Sequence, residues 1–362
     1  MFLTFKTFYP VGQGGFYSER IWNGQECRTV VYDCGSDTGK VNGKLPIEKC
    51  IDESGLENVD YIVISHLDKD HINGLPYLRT YLKKHGLRKD PLLILPKPNP
   101  YDILLFLEKI DDEDETLLNY FVDEILCGNR VLYVDDSNES DEIIDLDSVN
   151  RAEASHCRNF IFGNNVKTSE IWLLKFYVDA SKYTKMDNDD VKQIEGVLTI
   201  DDLEKRKEKL KNLYKDKMKF VGRRGNVDSS KMNLSSMSML SAPFDEMMRD
   251  RNCNRIKDFA FASWMNGDIC LKSDAEMDKI ERHYQKFLSM NFDFQIPHHG
   301  SERNLGRLPN VSGKIRPYIW AGTKNKYRHP SYSILKMLKE NGLAINWIAE
   351  KDEMFIRQEK WV

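Results

Sequence analysis

The first third of the chain alternates short apolar runs with turn residues, a pattern of strands and brief helices rather than of a helical bundle. Residues 2–8 (Phe2-Leu3-Thr4-Phe5-Lys6-Thr7-Phe8) read as a strand. A glycine-rich turn over residues 12–15 then joins a second strand, 16–22, to which a third, 28–32, adds before ending at Asp33. A glycine turn between strands predicts a hairpin; no helix and no Lys-Ser/Thr pair follows it, so a phosphate-binding loop is excluded. A short helix over 46–54 leads into Tyr61-Ile62-Val63-Ile64, apolar throughout and read as a buried strand. A helix over 76–86 and a strand over 92–95 follow, and Pro96, Pro98 and Pro100 stop regular structure there.

The middle is less periodic. Residues 103–110 and 117–126 read as helical pieces around the acidic run Asp111-Asp112-Glu113-Asp114-Glu115, and 170–179 returns to strand character. Residues 203–220, with Leu203, Leu210, Leu213, Tyr214 and Met218 among many lysines, predict an amphipathic basic helix. Farther on, strands are expected over 237–241, 259–264, 292–296 and 318–321, with helices over 274–289 and 332–340. Ser331 is placed to cap the last helix, and strands over 344–349 and 354–357 are expected to finish a second sheet.

The chemistry concentrates directly after the apolar strand, in Ser65-His66-Leu67-Asp68-Lys69-Asp70-His71. Four potential metal ligands, His66, Asp68, Asp70 and His71, fall within six residues. His66 and Asp68 alternate as residues leaving a strand do, while Asp70 and His71 lie on the following turn and can serve a second ion. Charged groups crowd in this way when something compensates them. The bland alternative is that the aspartates cap the next helix.

This His-x-Asp-x-Asp-His stretch resembles the His-x-His-x-Asp-His signature of the metallo-β-lactamase superfamily, with Asp68 in place of the second His. Val11-Gly12-Gln13-Gly14-Gly15-Phe16, Val30-Val31-Tyr32-Asp33-Cys34-Gly35, Asn266-Gly267-Asp268-Ile269, Ile296-Pro297-His298-His299-Gly300-Ser301 and Arg328-His329-Pro330-Ser331 resemble further signatures, in order, of the branch containing the ComEC-type competence domain. The resemblance implies an α/β fold, a four-layer αββα sandwich. Its N-terminal half with the metal loop would occupy 1–100, a charged, partly helical insertion 101–232, and its C-terminal half 233–362. It also implies that Asp268 bridges two metals, that one of His298 and His299 is a ligand, and that Asp33 orients the metal loop by accepting hydrogen bonds. The family's lone intermediate His has one counterpart in position, His156, without a motif around it.

Composition narrows the class. Seven cysteines (27, 34, 50, 127, 157, 253 and 270) without a Cys-x-x-Cys pair argue against a disulfide framework. Cys34, beside Asp33, reads as packing under the site or as a ligand. No run approaches the roughly 18–20 apolar residues of a membrane span, and the start lacks a basic leader, so a cytoplasmic protein without a membrane is expected. The net charge of −4 gives no global pull toward nucleic acid. Its distribution is uneven: residues 101–150 hold sixteen acidic and two basic side chains, residues 201–231 eleven basic and six acidic. The second stretch is a candidate nucleic-acid contact, and the charged insertion a candidate surface for a protein partner.

The expected cofactor is a pair of divalent ions, held by His66, Asp68, Asp70, His71, Asp268 and His298 or His299. Asp68 tilts the choice from zinc toward manganese or magnesium. The expected function is a metal-dependent hydrolase, a phosphodiesterase or nuclease using a dinuclear-metal-activated hydroxide, with Asp70, His71, Asp268 and His329 as catalytic groups. Arg328, Ser301 and Asn304 are expected to contact a nucleic-acid or nucleotide substrate. The alternatives are a hydrolase of a small nucleotide or phosphate ester, a β-lactamase or thioesterase, and a weakly catalytic partner or sensor subunit.

Overall fold

The computed structural model describes residues 2–40, 43–85, 90–110, 115–135, 143–146, 159–162, 170–179, 189–219, 236–245 and 260–361. Strand β1 (Phe2–Phe8) pairs antiparallel with β2 (Gly14–Trp22), and β2 with β3 (Cys27–Ser36), so the glycine turn closes a hairpin as expected. Helix α1 (Pro46–Glu53), with proline in its first turn where no N–H is needed, returns the chain to β4 (Tyr61–Val63). The short α2 (Lys69–Ile72) and α3 (Leu75–Lys84) follow, then β5 (Leu92–Pro96), α4 (Pro100–Lys109) and α5 (Glu115–Tyr120). A π-helical turn over Phe121–Leu126 continues α5 and leads to β6 (Val131–Val134). Strands β3, β4, β5 and β6 run parallel.

The second half builds another sheet. Its strands are β7 (Ile143–Asp145), β8 (Asn159–Phe162), β9 (Glu170–Tyr177), β10 (Ser238–Asp245), β11 (Phe261–Met265), β12 (Asn291–Gln295), β13 (Ile315–Trp320) and β14 (Asn346–Ile348). Helices α6 (Asp189–Leu198) and α7 (Leu203–Lys219) lie between β9 and β10, α8 (Asp274–His283) between β11 and β12, and α9 (Tyr332–Glu340) between β13 and β14. The last strand, β15 (Phe355–Trp361), leaves this sheet and pairs with β1. The first sheet therefore runs β15-β1-β2-β3-β4-β5-β6 and the second β14-β13-β12-β11-β10-β9-β8-β7. The expectation that both terminal strands finish the second sheet is corrected here. Alternation cannot show which edge a strand joins.

Period-two alternation explains how the sheets face each other. On β12 the polar Asp293 points toward the first sheet, where Lys6 meets it at 2.8 Å, while Phe292 and Phe294 turn outward onto Trp264 at 5.4 and 5.2 Å. Trp264 also receives Tyr284, which follows α8, edge-on at 5.2 Å. Between the sheets Phe8 stacks on Tyr318 at 3.9 Å, and the Tyr17 and Ser263 hydroxyls bond at 2.8 Å. The result is the expected αββα sandwich.

The described parts of 101–232 join both sheets, since β6 belongs to the first and β7, β8 and β9 to the second. The basic helix meets the acidic stretch directly: Lys211 on α7 donates to Asp123 at 3.3 Å, and Leu210 is buried. Ser331 occupies the cap position of α9, but its side chain makes no capping bond and its hydroxyl pairs instead with that of Ser333 at 3.2 Å. Among the described residues no helix is long and apolar enough to cross a membrane.

Candidate metal centre

Parallel strands place loops at one end of each sheet, and ligand sites in such sheets form beyond the strands' carboxyl ends. The metal loop leaves β4, Asn266-Gly267-Asp268 leaves β11, His298-His299 leaves β12, and the loop bearing Arg328 and His329 leaves β13. Glycine allows the close approach. A Cβ on Gly35 would lie 2.5 Å from the backbone of Asp70, and one on Gly267, at φ +53°, would lie 2.5 Å from the Ser65 side chain.

Asp268 is the centre of the arrangement. Its Oδ1 lies 3.3 Å from His71 Nε2 and 3.9 Å from His299 Nε2, while its Oδ2 lies 3.6 Å from His298 Nε2 and 3.9 Å from His66 Nε2. The two oxygens thus face different imidazole pairs. Each ring is held by its other nitrogen. Nδ1 of His71 donates to Asp33 Oδ2 at 2.8 Å, that of His299 to the Trp320 carbonyl at 2.9 Å, and that of His298 to Asn304 Oδ1 at 2.9 Å. His66 Nδ1 pairs with the Ser65 hydroxyl at 2.9 Å. An oxygen acceptor at Nδ1 fixes the proton there and leaves Nε2 as the donor atom aimed at the centre.

Asp33, at φ +54° and fully buried, also accepts from Ser65 N at 2.7 Å and Ser65 Oγ at 2.8 Å. It therefore fastens both ends of the metal loop, Ser65 and His71. Asp70 Oδ2 lies 3.1 Å from His299 Nε2, and its Oδ1 lies 3.9 Å from His71 Nε2.

Electrostatics follow from the crowding. Burial works against ionisation of Asp268, but His298, His299 and His71 hold its carboxyl well below the usual range. Asp70 is likewise held down against burial by His71 and His299. Burial favours neutral His71, yet Asp268, Asp33 and Asp70 push it well above the ordinary imidazole value, and Asp268 and Asp70 raise His299 in the same way. Burial, then the charges of His299 and His298, lower His329 to about 4, so it is neutral near pH 7.

The donors suit a metal ion. His66, His71 and Asp268 form one group of ligand atoms within 4.8 Å of one another, and Asp70, His71 and His299 form another. His71 Nε2 and Asp268 Oδ1 are both buried and, in spite of their proximity, neither makes a hydrogen bond among the described residues. Two buried polar atoms held this close are costly unless a proton or a metal ion sits between them.

Not every expected residue takes its expected place. Asp68 is in neither group; its carboxylate accepts from Lys69 N at 2.8 Å and caps α2. The reasoning from Asp68 to hard-metal preference loses its basis, because each group offers two imidazoles and one carboxylate. Both adjacent histidines approach Asp268. Positive φ at His298 (48°) and His299 (54°) turns their rings 80° apart, and His299 alone joins a donor group. Asn304 lies behind the site: its amide donates to the Asp268 carbonyl at 3.0 Å while its oxygen holds His298. Ser301 is buried, and its hydroxyl accepts from Arg303 N at 3.3 Å. Arg328 is exposed, and the His329 ring lies 5.7 Å from that of His298. Cys34 is buried and outside both groups, with burial pushing its thiol well up. His156 lies outside the described residues.

Several supporting groups had no signal in the sequence. Ser236 Oγ accepts from Asp268 N at 3.0 Å, Gln295 Oε1 from Asn266 N at 2.9 Å, and the Trp320 carbonyl from His299. Serines, glutamines and carbonyls are too common for their role to show before the strands are assembled.

No curated protein matches the chain. Among solved structures it is similar to unliganded yeast PDE1, with 10% identity, 96% of this chain and 98% of that chain covered, and a TM-score of 0.43. It is also similar to the metallo-beta-lactamase fold protein YhfI from Bacillus subtilis, with 9% identity, 98% and 99% covered, and a TM-score of 0.37. A family model described as the metallo-beta-lactamase superfamily matches residues 24–145, the segment with Asp33 and the whole metal loop.

Proposed function

We propose that this protein is a metal-dependent phosphodiester hydrolase of the nuclease type, from the competence-related branch of the superfamily. The observation that carries the reading is the convergence of four imidazole Nε2 atoms on the two oxygens of Asp268, at 3.3–3.9 Å. His66, His71 and Asp268 in one group, and Asp70, His71 and His299 in the other, would hold divalent ions, with zinc or manganese suited to the mixed nitrogen and oxygen donors. When bound, such ions supply charge neutralisation at the transferring group and a nucleophilic water at neutral pH.

The chain's own residues supply orientation and charge. Asp33, Asn304 and the Trp320 carbonyl keep the ring protons on Nδ1. Neutral His329 offers one nitrogen as hydrogen-bond donor and the other as proton acceptor to a substrate oxygen, a role open to it because its lowered proton affinity keeps it uncharged. Exposed Arg328 beside it presents a planar guanidinium that matches a phosphate oxygen pair. A phosphodiester is favoured over a carboxylic ester because cationic groups flank the neutral base. The charged middle segment is proposed as a surface for a protein partner.

The test joins metal content to hydrolysis. Wild type and Asp268→Asn are assayed with zinc or manganese on single- and double-stranded DNA, RNA and a small phosphodiester. Metal-dependent cleavage of a polymer, lost in Asp268→Asn, is the expected result. Turnover of the small ester alone would move the assignment to a nucleotide-scale hydrolase. Bound metal with no phosphodiester turnover would refute the reading.

A further inference from the structure

The loop between β13 and α9 carries an exposed aromatic ring at the edge of the centre. Tyr327 is 56% exposed, and its ring runs nearly parallel to that of His329, at 18° and 5.9 Å between centroids. His329 in turn neighbours His298 at 5.7 Å. The Lys326 ammonium lies over the Tyr327 ring at 5.0 Å, and Lys324 and Arg328 are exposed on the same loop. Lys326 and Lys69 draw down the proton affinity of Asp37, which burial and the charge of Asp70 raise, so these cations border the acidic site.

The loop is held in place. Asn325 donates to the carbonyls of Gly322 and His329, each at 2.7 Å, and accepts from His329 N at 2.8 Å. Thr323 N donates to Glu350 at 2.9 Å, tying the loop to the turn after β14. Arg328 sits at φ +58°, a conformation a non-glycine residue keeps only when its surroundings impose it. The Tyr327 ring, more than half exposed, rests on His329 with the Lys326 ammonium near it and two more cations on the same loop. Such an aromatic face receives a nucleobase, and the cations receive the phosphates on either side.

We infer that Tyr327, backed by His329, is the platform on which the nucleobase adjoining the scissile phosphate stacks, so that the centre selects base-bearing phosphodiesters over base-free ones. This rests on the phosphodiesterase reading above. Tyr327 is here a specificity-determining residue. It touches the base and no reacting atom.

The experiment compares dithymidine monophosphate with the same molecule carrying an abasic tetrahydrofuran in place of one or the other nucleoside. Hydrolysis is followed in the metal-loaded wild type, Tyr327→Ala and Tyr327→Phe. Equilibrium binding of the phosphorothioate forms is measured in parallel, with and without manganese. One base–aromatic stack predicts a wild-type preference for the base-bearing compound of about 5- to 150-fold in kcat/KM, expressed mainly in KM. That ratio should collapse toward one in Tyr327→Ala and persist in Tyr327→Phe, which keeps the ring and loses the hydroxyl. Base-dependent binding that Tyr327→Ala abolishes, with no hydrolysis of either compound, would uphold the platform while refuting the phosphodiesterase reading. Hydrolysis with the same ratio in Tyr327→Ala as in wild type would overturn the platform and leave that reading standing. Neither binding nor hydrolysis would overturn both.

Discussion

Replacing Asp33 by asparagine changes no volume and touches no donor atom, yet it should disable the centre. Oδ2 of Asp33 accepts from the Ser65 hydroxyl and from His71 Nδ1, both at 2.8 Å, and Oδ1 accepts from Ser65 N at 2.7 Å. An amide nitrogen at the Oδ2 position donates where two donors already point. The Ser65 hydroxyl can turn and accept; the His71 N–H cannot. The imidazole is relieved only by moving its proton to Nε2, the atom 3.3 Å from Asp268 Oδ1 that a metal would need. Turning the amide over brings its donor against Ser65 N instead, so either orientation leaves one donor facing another. Loss of one charge-assisted hydrogen bond costs about 1.5–3 kcal/mol of stability. Removing the outer partner of a metal-binding histidine weakens the metal by about 10- to 100-fold. Urea unfolding of the metal-free protein and calorimetric titration with zinc or manganese read the two effects separately. The expected variant unfolds cooperatively at lower urea and binds metal at least tenfold more weakly. Binding within twofold of wild type would show that Asp33 does not set the His71 tautomer.

Three further perturbations probe other parts of the design. Gly35→Ala drives a Cβ to 2.5 Å from the Asp70 backbone, so about 1–3 kcal/mol of overpacking strain should appear in thermal unfolding together with weaker metal binding; unchanged melting would show that the loop yields freely. Lys6→Met removes one cation from the fully buried pair with Asp293. Because Arg316 still neutralises Asp293 at 2.6 Å, the loss should fall near the lower end of the usual ~3–5 kcal/mol, and a stabilised variant in urea would contradict the pairing. Metal affinity should fall with falling pH, because a protonated imidazole cannot ligate. The carboxylates raise His71 and His299 against the effect of burial, so the loss should begin above the ordinary imidazole value of 6.5. An apparent Kd constant from pH 8 to pH 6 would refute that coupling.

Local pattern carried much of this protein. The strand over Phe2–Phe8 and the helix over Tyr332–Glu340 were legible to the residue, since period-two and period-3.6 burial are properties of a single segment. The ligand-dense loop after Ile64 was legible for the same reason, four donors standing within six residues. Strands β6, β7 and β8 were not, because short runs in a charged stretch give no clear period until neighbours pair with them. Only the assembled sheets decided which donors meet. Asp268 and His71 stand nearly two hundred residues apart, and their 3.3 Å approach depends on the packing of one sheet on the other. Whether Asp68 ligates or caps the next helix, and that both His298 and His299 stand at Asp268, were likewise left undecided by the sequence. A side chain's direction is set by backbone dihedrals and by the partner that holds its far atom. Those partners, Asp33, Asn304 and the Trp320 carbonyl, come from other strands and loops. The sequence by itself determined which donors this protein owns and on which loops; the tertiary structure decided which nitrogen of each ring faces the centre, because that choice belongs to hydrogen bonds made between distant segments.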